Sequence, residues 1–149
     1  MTLADMKKAI QGLPPVFRKL QTSLELLRTK AAGYTLTTTF VDGTDGTGTV
    51  QFVFKDANGG ALTAPISGLM YFSDVATGLS TDALGTGAAV LTNGSIDAVV
   101  AATTYHYTTT AAGLLGMTLT NGAADSVWAC FIQPDGSLLI SDEMAITGP

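Results

Sequence analysis

The sequence predicts a mainly β protein: an antiparallel β-sandwich preceded by a short N-terminal α-helical arm. Three observations lead there. Sixteen of the 17 glycines stand at Gly33 or later, where threonine becomes the dominant polar residue. Short apolar or Thr-rich runs then alternate with Asn-Gly and Asp-Gly pairs, whose positive φ angles suit tight turns. The first 31 residues instead hold helix formers, with apolar positions spaced alternately by three and four.

That spacing runs through Leu3, Met6, Ile10, Leu13, Phe17, Leu20, Leu24, Leu27 and Ala31, the narrow seam of an amphipathic helix. Gly12-Leu13-Pro14-Pro15 interrupts it. Proline lacks a backbone donor and clashes with the preceding turn, so two helices are predicted, over 2–11 and 14–31. Gly33 is the predicted C-cap, and the arm is taken as residues 1–32. Charge changes at the same place. Residues 1–31 hold six of the seven basic residues and two of the twelve acids, a net +4. The remainder holds one basic residue and ten acids, a net −9. A basic arm on an acidic body concerns partners more than fold. The seam can pack on its own body or dock on another chain. Docking is the expectation, through Leu13, Phe17, Leu20, Leu24 and Leu27, with Arg18, Lys19, Arg28 and Lys30 aligning the arm.

From Tyr34 onward, strands are predicted near 34–41, 48–55, 65–73, 87–92, 95–100, 104–110, 114–120, 126–133 and 137–146, the last open to a split. Turn signals separate them: Asp42-Gly43-Thr44-Asp45-Gly46, Asn58-Gly59-Gly60, Asn93-Gly94, Asn121-Gly122 and Pro134-Asp135-Gly136-Ser137. Strands at this spacing, with no helical crossover, indicate an antiparallel sandwich or barrel. Val50, Phe52 and Phe54 share one face of their strand, with Gln51 and Lys55 on the other. The run Val127-Trp128-Ala129-Cys130-Phe131-Ile132 is apolar on both faces, so something must cover its outer side. The arm or a neighbouring subunit is the expected cover.

Val50-Gln51-Phe52-Val53-Phe54-Lys55-Asp56-Ala57-Asn58-Gly59-Gly60-Ala61-Leu62 resembles the opening hairpin of bacterial and phage immunoglobulin-like modules, a strand, Asp-x-Asn-Gly, then the next strand. Tyr107-Thr108-Thr109-Thr110-Ala111-Ala112-Gly113-Leu114-Leu115 resembles their later Thr-rich strand and Gly turn. The likeness covers about residues 48–146 and is carried by turn and strand residues. It implies the immunoglobulin-like β-sandwich of tailed-bacteriophage virion proteins, which serve as head decoration or cement, or as tail and fibre components.

Little in the sequence points to catalysis. One cysteine forbids an internal disulfide, and one histidine leaves little acid–base chemistry near neutrality. A Cys130–His106 nucleophile would need an exposed, thiolate-stabilising setting, whereas Cys130 stands in the most apolar strand. Asp42 and Asp45 lack the alternating acids and terminal Glu of a calcium loop, and turn chemistry accounts for them. Asp142 and Glu143 are adjacent, so on a strand they face opposite ways. No phosphate-binding or dinucleotide fingerprint occurs. No catalytic residue, metal or cofactor is expected. The acidic body argues against nucleic acid, and no apolar run approaches the roughly 18 residues of a membrane helix. Lysines followed by Gln11, Gly12 and two prolines do not form a secretory signal.

The expectation is a non-enzymatic virion protein, assembled in the host cytoplasm as a homo-oligomer. It would be capsid decoration or cement, bound through its arm to the major capsid protein or another virion protein. The alternatives are a tail or fibre component with a trimeric helical anchor, and a carbohydrate-binding adhesive module using exposed Tyr34, Tyr105 and Tyr107.

Overall fold

The computed structural model describes residues 2–5, 8, 19, 20, 33–84 and 87–149. The chain divides into two compact units, Met1–Gly33 and Tyr34–Pro149.

In the first unit, residues 3–5, 8, 19 and 20 are helical. The helix starts on a capping box. Asp5 N–H donates to Thr2 Oγ1 (3.2 Å), while the Asp5 carboxylate accepts from the Thr2 hydroxyl (2.7 Å) and N–H (3.0 Å). Two otherwise orphaned helix-start donors are thereby satisfied reciprocally. Those bonds, the Thr2 hydroxyl's first, hold the Asp5 carboxyl below its ordinary range. Most of both expected helices, the break at Pro14–Pro15 and most of the seam lie outside the described residues.

The second unit is an antiparallel β-sandwich, as its sequence predicts. Its strands are β1 (Tyr34–Asp42), β2 (Thr47–Asp56), β3 (Ser67–Ser73), β4 (Gly87–Asn93) and β5 (Ser95–Val100). They continue as β6 (Thr104–Thr108), β7 (Leu114–Thr120), β8 (Asp125–Ile132), β9 (Leu138–Ile140) and β10 (Met144–Ile146). One sheet has the order β1-β2-β7-β4; the other runs β10-β8-β3-β6-β5, with β9 also paired to β8. The last predicted strand is split. At the break, Ser141 N–H donates to Ala129 O and Ser141 Oγ accepts from Ala129 N–H, both at 2.9 Å. A serine thus replaces the missing ladder bond of β8.

Period-two alternation builds the core. Val50, Phe52 and Phe54 of β2, with Leu115, Met117 and Leu119 of β7, face Met70 and Phe72 of β3 and Val127, Ala129 and Phe131 of β8. Aromatic rings join the sheets. Phe131 meets Phe54, Phe52 and Tyr107 edge-on at centroid distances of 4.9, 5.1 and 5.2 Å, and Phe54 stacks on Tyr107 at 5.7 Å. Full burial of each such side chain contributes roughly 1.5–3 kcal/mol, with about 0.5–1.5 more for a well-oriented aromatic pair.

Not every Asn-Gly or Asp-Gly turn makes a hairpin. Asp42–Gly46 and Pro134–Ser137 do, between β1 and β2 and between β8 and β9. At Asn93-Gly94 the chain leaves one sheet for the other, since β4 pairs with β7 while β5 pairs with β6. Gly94 has φ +77°, and a Cβ there would lie 2.5 Å from Thr108 O. The residue is selected for a close corner between sheets, which asks for the same left-handed backbone as a tight hairpin.

The β1 side of the sandwich is tied across to β8, β9 and β10. Tyr34 N–H donates to Gln133 Oε1 (2.8 Å), Asp142 N–H to Thr38 Oγ1 (3.2 Å), and Thr147 N–H to Asp42 Oδ1 (3.1 Å). Side-chain oxygens here occupy backbone donors that an open edge would leave free for aggregation.

Candidate functional site

Cys130 and His106 are not brought together. Both lie on the outer face of the β8-β3-β6 sheet, but β3 separates them, a spacing of roughly 10 Å for two strands. His106 is exposed, in register with Leu69 and Asp97. Cys130 is fully buried, and that burial pushes its thiol up, away from the reactive thiolate. At Cys130 the outer side of β8 has a cover within the body. It is the body's own turn after β3: a Cβ at Gly78 would stand 3.0 Å from Cys130 Sγ and 3.2 Å from Leu138.

The acidic turns use their oxygens on the chain's own donors. Asp42 Oδ1 accepts from the N–H groups of Thr44 and Thr147, and Asp45 Oδ1 accepts from the Thr47 hydroxyl. The Thr147 contact leads in holding the Asp42 carboxyl below its ordinary range. Asp56 Oδ1 accepts from Asn58 N–H (2.9 Å) and Gly60 N–H (2.7 Å), which closes the Asp-x-Asn-Gly turn. Among the described residues, no group of three or more His, Cys, Asp or Glu side chains has metal-holding geometry.

Tyr105 and Tyr107 are not surface platforms. They are 3% and 4% exposed, because β6 alternates and turns its intervening His106 outward. Tyr34 is half-buried. The reading of these three as an exposed sugar-stacking surface is corrected accordingly.

Tyr34 and Tyr107 contribute instead to a cleft of about 410 Å³ at one end of the sandwich. Tyr34, Phe54, Ser67, Gly68, Tyr107, Phe131, Ile132 and Gln133 line it, with Pro65, Ile66, Pro134 and Leu139. The lining is uncharged and mostly apolar. Burial first, and neighbouring Tyr34 second, push the Tyr107 phenol up to about 12. It therefore remains a neutral O–H group and cannot serve as a base near neutrality. Such a cleft can hold an uncharged group but supplies no proton-transfer pair. Its residues come from β1, β2, β3, β6, β8 and the segments beside them, so no local spacing reveals it.

A second cluster also escapes the sequence pattern. Asp82, in the segment between β3 and β4, lies beside Asp125 at the start of β8 and within the influence of Asp74. Asp82 Oδ2 is buried with no hydrogen-bond partner.

Of the arm residues expected to dock, Lys19 and Leu20 are described. Both are exposed, Leu20 at 61%. Leu13, Phe17, Arg18, Leu24, Leu27, Arg28 and Lys30 lie outside the described residues.

No protein-family description and no curated protein matches the chain. Among solved structures, it is similar to the cohesin module of a family 33 glycoside hydrolase from Clostridium perfringens, at 10% identity and a TM-score of 0.38. It is also similar to the sixth cohesin of scaffoldin B from Acetivibrio cellulolyticus, solved in complex with a Cel5 dockerin, at 12% identity and a TM-score of 0.35. Each likeness covers 78% of this chain and 99% of the other. No residue role is carried over from either.

Proposed function

We propose that the protein is a non-enzymatic structural component of a tailed-phage virion, a capsid decoration or cement protein. In this reading the sandwich is the outward body and residues 1–32 attach it to the major capsid protein or another virion protein. The supporting observation is a coincidence of boundaries. The chain divides into compact units at Gly33, beside the point where net charge changes from +4 to −9. An acidic body repels its own copies in solution, while a basic arm with an apolar seam is suited to capture on an oppositely charged surface. The body's turn carboxylates and aromatic core serve its own rigidity, which is what an exposed outer part of a shell requires. Self-association on the shell, where the arms hold the copies together against that repulsion, belongs to the same reading.

The test is the location and copy number of this chain in purified particles, by mass spectrometry and electron microscopy. Many copies following the shell lattice support the cement role. A few copies at one vertex would transfer the protein to the tail, and absence from particles would end the virion reading.

A further inference from the structure

The inward face of β3 carries Met70 and Phe72 and then, by the same alternation, no side chain at Gly68. The β3–β8 ladder stops at Met70 opposite Phe131, so Ser67 and Gly68 pair with β6 but not with β8. The cleft of about 410 Å³ opens at this place, with the core aromatics Phe54, Tyr107 and Phe131 in its lining. A Cβ at Gly68 would stand 3.2 Å from the Tyr107 ring and 3.3 Å from its hydroxyl, so the glycine leaves the phenol uncovered.

The polar groups of the cleft are unequally used. Ser67 Oγ is bonded to Thr108 Oγ1 (2.8 Å). Gln133 Oε1 accepts from Tyr34 N–H (2.8 Å), and Gln133 Nε2 donates to Ser137 Oγ (3.1 Å). Tyr107 is buried, its ring packed on Phe54 and Phe131, yet its hydroxyl meets no acceptor among the described residues. A polar side chain this deeply placed is ordinarily hydrogen-bonded. The hydroxyl of half-buried Tyr34, at the same cleft, has no acceptor among the described residues either. Phenol donors without acceptors, in an apolar and uncharged lining, are matched by an oxygen atom on an otherwise apolar ligand.

We propose that the cleft binds a small uncharged ring compound carrying an oxygen acceptor, with the ring against Phe54 and Phe131 and the oxygen at the Tyr107 hydroxyl. A carboxylate or phosphate would lose its hydration there and gain no cation. A saccharide ring would bury more hydroxyl groups than these phenols can serve.

The experiment is an NMR titration of the full-length protein, carbon-labelled in its aromatic rings, with acetophenone, ethylbenzene and benzoate at neutral pH. Acetophenone should shift the Tyr107 and Phe131 ring signals saturably, and benzoate should bind at least about tenfold more weakly. Ethylbenzene offers the ring without the oxygen. Tyr107→Phe should therefore cut the acetophenone affinity about fivefold, the worth of one neutral hydrogen bond, and leave that of ethylbenzene unchanged. Gly68→Ala narrows the cleft and should weaken both compounds, and it carries the test should Tyr107→Phe not fold. The absence of saturable shifts at the cleft overturns the proposal, as does benzoate binding as tightly as acetophenone. An equal loss for both compounds in Tyr107→Phe would mean that the phenol shapes the cleft without holding the oxygen, and unchanged binding in Gly68→Ala would place the compounds elsewhere; either result overturns it too.

Discussion

Tyr71 donates its hydroxyl to the carbonyl of Gly78 at 2.6 Å, and the turn so held closes over Cys130. The bond helps to hold the turn that shuts the thiol away from solvent. Burial of the thiol and closure of the turn act in the same direction. Labelling by a thiol reagent should therefore be slow in the native protein and governed by local opening. Tyr71→Phe removes one neutral hydrogen bond, about 1 kcal/mol, and should accelerate labelling about fivefold with little change in the global unfolding midpoint. Wild-type labelling as fast as that of the unfolded chain would refute the closed turn.

Phe131 contacts Phe52, Phe54 and Tyr107 at once, and so bridges the sheets. Phe131→Ala should destabilise the fold by about 3–5 kcal/mol in urea unfolding. Val41, 62% exposed on β1, provides the contrast, and its replacement by Ala should change stability by no more than about 0.5 kcal/mol.

Glycines at similar φ angles should respond differently. Gly94 and Gly59 have φ of +77° and +80°. A Cβ at Gly59 meets nothing within 4 Å, whereas one at Gly94 would strike Thr108 O. Gly59→Ala should cost about 1–2 kcal/mol, the left-handed backbone strain alone. Gly94→Ala should cost clearly more, because the corner between sheets must also shift. Equal losses in thermal denaturation would mean that the corner yields freely.

The contrast between these glycines marks where the sequence is legible. Val50, Phe52 and Phe54 declare a buried face through alternation alone, and the strand bounds follow from turn residues. The same alternation does not say which face of Tyr105-His106-Tyr107 is inward; that depends on the opposite sheet. Asn93-Gly94 announces positive φ but not whether the next strand pairs beside the last or crosses to the other sheet. The cleft beside Tyr34 and the Asp82–Asp125 pair join segments far apart in the chain. Their meeting is a consequence of topology, to which local propensity contributes nothing.

Alkaline pH should weaken the sandwich through Tyr107. Its phenol is pushed up to about 12 in the folded protein, whereas an unfolded tyrosine ionises near 10. The folded state thus holds its proton more tightly, and stability is lost as pH rises from about 10 through about 12. Ultraviolet titration should show a delayed tyrosinate step in the native protein. Tyr107→Phe should remove that step and flatten the alkaline decline. Persistence of the delayed step in the variant would assign it to another tyrosine.

Attachment tests the arm and separates apolar burial from charge. Burying one leucine is worth roughly 1.5–3 kcal/mol, whereas an exposed ion pair contributes at most about 1. If the arm attaches the protein to a shell as proposed, Leu24 and Leu27 should set the affinity, while Arg28 and Lys30 set mainly the rate of encounter and its dependence on salt. Leu24→Ser with Leu27→Ser should release the protein from particles in co-sedimentation while the β-type circular dichroism and melting of the body remain unchanged. Charge reversal at Arg28 and Lys30 should slow capture at low salt and have little effect at high salt, where screening already hides the charges. Residues 33–149 alone should fold and remain soluble, since the buried core among the described residues is drawn from the body. A body that melts with the double serine substitution, or aggregates without residues 1–32, would make the arm part of the core and remove it from the role of anchor.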